Sequence, residues 1–318
     1  MDFVEVAAVM LVVIGGTTAS GKSALATRLA ERTGGVIVNA DSMQLYRDLR
    51  ILTARPSPED EAGAEHRLYG VLDGTETGSA GHWLSLAAPV IAEATAAGRA
   101  VILVGGTGLY IQALLQGLAP VPDVPADLRA RLRAEAEGLA PAELHRRLAA
   151  RDPAMARRLR PSDPQRILRA LEVLEATGRS LASWHAEPRV KVTLPPHRVC
   201  LALLPPATTV SRRIATRLDD MAEAGALAEV ERLLARSDVP PDSPLLRATG
   251  VPELRGVLEG RRSLADALAE AALRTRQYAK RQRTFFRHRL PELRAFDRFG
   301  EAWDDDAVDG LVAAASSR

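Results

Sequence analysis

The stretch "GGTTASGKSALA", residues 15–26, decides the fold. Gly16-Thr17-Thr18-Ala19-Ser20-Gly21-Lys22-Ser23 matches G-x-x-x-x-G-K-[ST], the phosphate-binding loop. Backbone N–H groups in such a loop converge on an anion, and the helix that follows adds its positive end. Lys22 would neutralise the outer phosphate, and the Ser23 hydroxyl would reach Mg²⁺. The context agrees: "VMLVVI", 9–14, is a short apolar run that reads as a buried strand, and 22–32 has helical spacing. The loop implies an oligophosphate ligand and leaves open whether that ligand is hydrolysed.

Two further strands follow the same plan. "GGVIVNAD", 34–41, ends in an acid, and "GRAVILVGGTGLY", 98–110, ends in glycines before a helical stretch. Strands alternating with helices, with polar residues at their carboxyl ends, predict an α/β fold with a P-loop NTPase-like parallel sheet and ligands along one edge. "PVPDVP", 120–125, reads as a linker, and the Ala/Arg/Leu/Glu-rich stretch to about residue 186 reads as helical. A strand-like run returns at "HRVCLALL", 197–204, and the last third is helical. The expected organisation is an α/β core of 1–122 and 197–318, with a helical insertion domain over 123–196. The end after Asp304 is expected to fray.

Composition narrows the class. The chain has 318 residues and an apolar fraction of 47%, enough for a substantial core. A single cysteine, Cys200, excludes a disulfide framework and a cysteine-based zinc site, which fits a cytoplasmic protein. Residues 1–16 carry Asp2 and Glu5 and lack a basic flank, so they read as a strand rather than a targeting segment. No apolar run is long enough for a membrane span. Of 42 basic residues three are lysine, so Lys22 in the loop marks a place where a compact point charge is needed.

Two segments bear on the chemistry. In "NADSMQLYRDL", 39–49, Asp41 ends the second strand. It could hold a metal or take a proton, or it or Ser42 could cap a helix through Tyr46. The third strand ends in Gly105-Gly106-Thr107, where a nucleotidase would keep an aspartate. Without a carboxylate there, the site is poorly equipped to activate water. The alternative for these glycines is a tight turn, with Thr107 as a helix N-cap.

These motifs resemble the tRNA dimethylallyltransferases, also called tRNA isopentenyltransferases, which pair a variant loop with D-S-x-x-x-Y and G-G-T-x-L-Y. The resemblance continues through Asp163-Pro164-Gln165-Arg166-Ile167-Leu168-Arg169-Ala170-Leu171-Glu172, Arg213-Ile214-Ala215-Thr216-Arg217 and "TRQYAKRQRTFFR", 275–287, and so spans nearly the whole chain. It implies transfer of a dimethylallyl group from dimethylallyl diphosphate to N6 of the adenosine just 3′ of the anticodon in tRNA. The loop would then hold a diphosphate leaving group, with Mg²⁺ at Ser23. Asp41 matches the proposed general base, Thr107 a threonine at the reacting centre, and Arg217 a diphosphate-binding arginine. Ser42, Met43 and Gln44 match residues that touch the flipped nucleotide. Gln165, Arg166, Ile167, Leu168 and Arg169, with Arg129, match tRNA contacts. The partners implied are a tRNA anticodon stem-loop and the diphosphate donor, and nothing requires more than a monomer.

Seven Lys/Arg and no acid lie in 274–289, among Tyr278, Phe285 and Phe286. That suits single-stranded nucleic acid, or an amphipathic helix whose rings are core. Two departures from the family stand out: Thr17 for the usual loop proline, read as a change in backbone stiffness, and Val251-Pro252 in "RATGVPEL", 247–254, where the family usually has R-x-x-G-Y-R. The competing functions are an ATP-dependent small-molecule kinase, an isopentenyltransferase acting on free adenine nucleotide, and a non-enzymatic RNA-binding switch.

Overall fold

The computed structural model of the protein describes residues 10–316. The reading of residues 1–9 as part of the first strand lies outside them. Six strands form one parallel sheet in the order β3-β2-β4-β1-β5-β6. They are β1 (Met10–Gly16), β2 (Val36–Asn39), β3 (Glu65–Arg67), β4 (Val101–Val104), β5 (His197–Leu203) and β6 (Arg294–Phe296). The central strands are continuous apolar runs because both faces of the sheet are covered.

The chain divides into two compact units, Met1–Leu115 with Val192–Arg318, and Gln116–Lys191. The smaller unit therefore starts and ends several residues before the limits of 123–196 set by composition. Leu118 and Val190 exchange backbone hydrogen bonds of 3.0 and 2.8 Å, which ties the start of the small unit to its end.

In the larger unit, α1 (Lys22–Thr33) packs Leu25, Ala26 and Leu29 against Val12, Ile14, Ile37 and Ile102 of the sheet. The helices α2 (Pro58–Gly63), α3 (Ala80–Ala96) and α4 (Gly108–Gln116) follow in sequence. Trp83 of α3 stacks on Tyr110 of α4 with centroids 4.8 Å apart, and its Nε1 donates to the Asn39 carbonyl.

The small unit is helical: α5 (Ala126–Ala136), α6 (Pro141–Arg151), α7 (Pro153–Ala156), α8 (Pro164–Thr177) and α9 (Leu181–Trp184). Leu144, Leu148, Met155, Ile167, Leu171 and Leu181 fill its core. Asp163 caps α8, accepting from the Arg166 N–H, and Pro164 opens the first turn, where its missing N–H does no harm.

The larger unit resumes after β5 with α10 (Ala207–Glu223), α11 (Ala226–Leu234), α12 (Val251–Leu258), α13 (Leu264–Arg289) and α14 (Asp305–Ser316). Helix α14 overturns the expected frayed end. Asp305 and Asp306 suit its positive N-terminus, and Val308 and Ala315 join the core under the sheet. Ion pairs from Arg28 and Arg32 to Asp305 and Asp309 tie it to α1. Among the described residues, no helix is long and apolar enough to cross a membrane.

Val308 is 1% exposed, so Val308→Asp would bury a lone carboxylate. A loss of about 3 kcal/mol or more is expected in urea unfolding; an unchanged midpoint would mean that the helix is not docked.

Candidate active site

The loop between β1 and α1 is shaped by close approach. A Cβ on Gly16, at φ +143°, would overlap the Leu203 carbonyl of β5. Gly21 takes φ +79° as the N-cap of α1, and Ala19 sits at φ +57° without being glycine. Such a conformation costs an alanine roughly 1–2 kcal/mol, so the surroundings must hold it. Thr17 is 1% exposed, and its N–H donates to Leu203 O at 3.2 Å. A proline there lacks that donor, so the substitution adds a bond to the neighbouring strand as well as altering stiffness.

A cavity of about 850 Å³ opens at the carboxyl edge of the sheet. Thr18 to Ser23 of the loop, Asp41 to Gln44 after β2, and Gly105 and Gly106 after β4 line it. Arg213, Arg217 and Met221 of α10, Arg247, Tyr278 and Gln282 complete further walls. The structure thus brings the loop, Asp41 and Arg217 into one chamber, although they lie far apart in sequence. Thr107 does not line the chamber. Its Oγ1 accepts from the Ser42 N–H at 2.9 Å and so braces the Ser42 backbone, while its carbonyl accepts from the Tyr110 N–H at 2.9 Å at the start of α4. Asp41 starts no helix. Its Oδ1 accepts the Met43 N–H at 3.0 Å in a local turn, and its own N–H donates to Asn39 Oδ1 at 2.8 Å.

The electrostatics of the chamber are asymmetric. Burial of the Lys22 ammonium lowers its pKa to about 8, while Asp41 pulls it up and Arg217 pushes it down. Burial also lowers the pKa of Arg217, again opposed by Asp41. Two half-buried cations therefore face the same carboxylate. Lys22 Nζ donates to the Thr17 carbonyl at 2.6 Å. The Tyr278 phenol, whose pKa is raised by burial and by Asp41, stays protonated beside Thr107 and Gln282.

Helix α13 contributes residues that the sequence reading did not single out. Gln282, 4% exposed, accepts from the Thr18 N–H at 2.8 Å and donates to the Gly106 carbonyl at 2.9 Å. It joins the phosphate loop to the end of β4 from a place 264 positions beyond Thr18 in sequence, and no local pattern betrays that contact. Glu301, in the short turn Gly300–Ala302, lies against Gly21 and pairs with Arg213 at 3.1 Å.

The two phenylalanines of this helix pack inward, whereas Tyr278 lines the chamber. Phe286 is buried against Gly15, and Phe285 lies over Gly108. Helical spacing turns 278, 282 and 285–286 to one inward face. Arg283 is also internal, donating to the carbonyls of Leu204 and Pro205.

Val251 is fully buried at the start of α12, after Gly250 at φ +101°. Position 251 therefore faces the protein interior, whereas Arg247 lines the chamber.

Within the small unit, Gln165 and Arg166 are exposed on α8 and Arg169 is half-buried. Ile167 is 0% exposed and belongs to the core, so its side chain cannot reach a partner, while Leu168 is half-buried beside it. Arg169 lies 3.7 Å from the buried Glu172, and Arg129 donates to the Val124 carbonyl at 3.2 Å.

Among the described residues no cluster of three or more His, Cys, Asp or Glu could hold a metal. The exposed Ser23 hydroxyl on the chamber wall fits Mg²⁺ in the way that ion binds phosphates, through few protein ligands with the rest from substrate and water.

A parallel sheet whose first strand runs through a phosphate loop into a helix places the protein in the P-loop NTPase-like class. The IPP transferase family model matches residues 44–289, and the chain belongs to that family. It is 55% identical over 278 residues to a tRNA dimethylallyltransferase of Methylocella silvestris, covering 87% of this chain and 91% of that protein. The full-length tRNA isopentenylpyrophosphate transferase of Bacillus halodurans superposes with a TM-score of 0.67 and 31% identity, over 96% of this chain and 94% of that one. A eukaryotic dimethylallyltransferase captured acting on tRNA gives a TM-score of 0.79 at 26% identity, over 95% of this chain and 77% of that one.

The depressed pKa of Lys22 gives a pH signature. An alkyl diphosphate, fully ionised above neutral pH, should need the charged ammonium and raise its pKa on binding. Its affinity should fall as pH rises through about 8, with proton uptake seen by calorimetry in two buffers. Lys22→Met should abolish the slope; a flat profile in the parent chain would contradict the assignment.

Proposed function

We propose that the protein transfers a dimethylallyl group from dimethylallyl diphosphate to N6 of the adenosine 3′-adjacent to the anticodon in tRNA, releasing diphosphate. One observation carries the reading: the phosphate loop and Asp41 face the same chamber, and β4 ends there in glycine rather than in a carboxylate. Family membership and the names of the relatives agree with it.

The loop amides, Lys22 and Arg217 grip the diphosphate. As the allylic C–O bond breaks, negative charge grows on the departing oxygen, and these preorganised donors stabilise it. Mg²⁺ held at Ser23 would supply further charge to the leaving group. The exocyclic amine of adenine is a poor nucleophile because its lone pair is delocalised into the ring. Asp41 orients that amine and accepts its proton as the N–C bond forms. Thr107 keeps Ser42, and with it the turn after Asp41, in place through the Ser42 N–H.

The adenine must leave its stack to reach the chamber, and an anticodon loop makes this inexpensive. Gln165 and Arg166, exposed on α8, and Arg169 suit contacts to the RNA backbone. A kinase reading draws no support from β4, which offers no acid to a nucleotide-bound metal.

The test uses labelled dimethylallyl diphosphate, Mg²⁺ and either unmodified tRNA or AMP. Label is expected in tRNA; label in AMP alone, or in neither, overturns the proposal. Asp41→Ala should lower kcat by about 10²–10⁴-fold while tRNA affinity stays within about twofold. Parallel loss of both would make Asp41 structural.

A further inference from the structure

Glu229 of α11 is 5% exposed and does not line the chamber. Its carboxylate accepts three consecutive backbone N–H groups: Arg50 at 2.6 Å, Ile51 at 2.9 Å and Leu52 at 2.9 Å. A carboxylate in the interior is costly, and an apolar side chain would fill the same volume more safely. What the acid uniquely supplies is an anion for three N–H groups that converge at the start of a turn.

That turn forms one wall of the chamber, through Leu52, Thr53 and Ala54. It is not held by local propensity. Ala54 sits at φ +52°, a conformation an alanine adopts only under constraint. The Ala54 N–H donates to Ile51 O at 2.9 Å, and Thr53 Oγ1 donates to Leu49 O at 2.5 Å. The carbonyls of Thr53 and Ala54 both accept from Gln44 Nε2 at 2.9 Å. With its amide hydrogens engaged, Gln44 is oriented with Oε1 as its acceptor. On the other side, the Leu52 methyls pack on Gly250, where a Cβ would lie 2.6 Å from them.

We propose that Glu229 is a positioning residue for the nucleotide. It clamps the 50–54 turn, the turn fixes the Gln44 amide, and the wall that meets the base is set before tRNA arrives. The inference rests on the transfer reading above. Such a residue acts on one substrate only. The phosphate loop makes none of these bonds, so donor binding should be indifferent to Glu229.

Glu229→Gln keeps the size of the side chain but points an NH₂ at backbone donors. In the full-length chain, kcat/KM for tRNA is expected to fall on the order of tenfold to a hundredfold, mostly through KM, as a displaced wall would cause. The affinity for dimethylallyl diphosphate, read by calorimetry, should stay within about twofold. A fall in melting temperature with unchanged kinetics would overturn the proposal, as would equal loss toward both substrates. Should the variant fail to fold, hydrogen exchange on the parent chain decides: the amides of Arg50, Ile51 and Leu52 should be protected like those of β1. Exchange at the rate of an open loop would overturn it. A parent chain that transfers no label to tRNA would instead defeat the transfer reading and leave the exchange result to judge the clamp.

Discussion

Two half-buried cations facing the Asp41 carboxylate are the constraint on which the rest of this structure depends. Lys22 and Arg217 both lose proton affinity to burial, and Asp41 restores part of it to each. The chamber therefore carries more positive charge than its own acids neutralise. An anion of high charge relieves that imbalance, and a diphosphate that gains charge as it departs relieves it most. The same arrangement leaves Asp41 engaged only partly, close enough to feel the cations yet on the chamber wall, where a proton donor can approach it.

The scaffold serves this arrangement. In a parallel sheet every strand delivers its carboxyl end to the same edge, so β1, β2 and β4 place the phosphate loop, Asp41 and the glycine turn side by side. Glycine allows the strand ends to meet: a Cβ on Gly105 would overlap the backbone of Ala40. Long-range braces then stop the edge from spreading. Gln282 joins the loop to β4, Thr107 holds Ser42, and Glu229 holds the 50–54 turn. Each brace uses a side chain on one element to satisfy backbone groups of another, which is how loops keep a fixed shape at an open edge.

The sequence disclosed what is local. The phosphate loop is contiguous, so its motif, the strand before it and the helix after it could be read directly, as could Asp41 at the end of β2 and the capping of α8 by Asp163 and Pro164. The edge strands β3 and β6 were illegible because three residues each carry no measurable periodicity. The end after Asp304, expected to fray, is instead anchored as helix α14 by Val308 and Ala315. Gln282, Glu229 and Glu301 escaped because their partners lie far away in the chain. The rings of α13 were ambiguous for a physical reason: aromatic residues among arginines suit either an RNA platform or an amphipathic helix. Only packing distinguishes the two: Phe286 belongs to the interior, whereas Tyr278 faces the chamber.

The most direct measurement is a crystal structure of the chain with diphosphate and an anticodon stem-loop. The phosphates are expected within hydrogen-bond reach of the 19–23 backbone and of Lys22, with the extruded adenine's N6 beside the Asp41 carboxylate. A nucleoside triphosphate that displaced the diphosphate and set its γ-phosphate against Asp41, with no base admitted to the chamber, would contradict this description of the site.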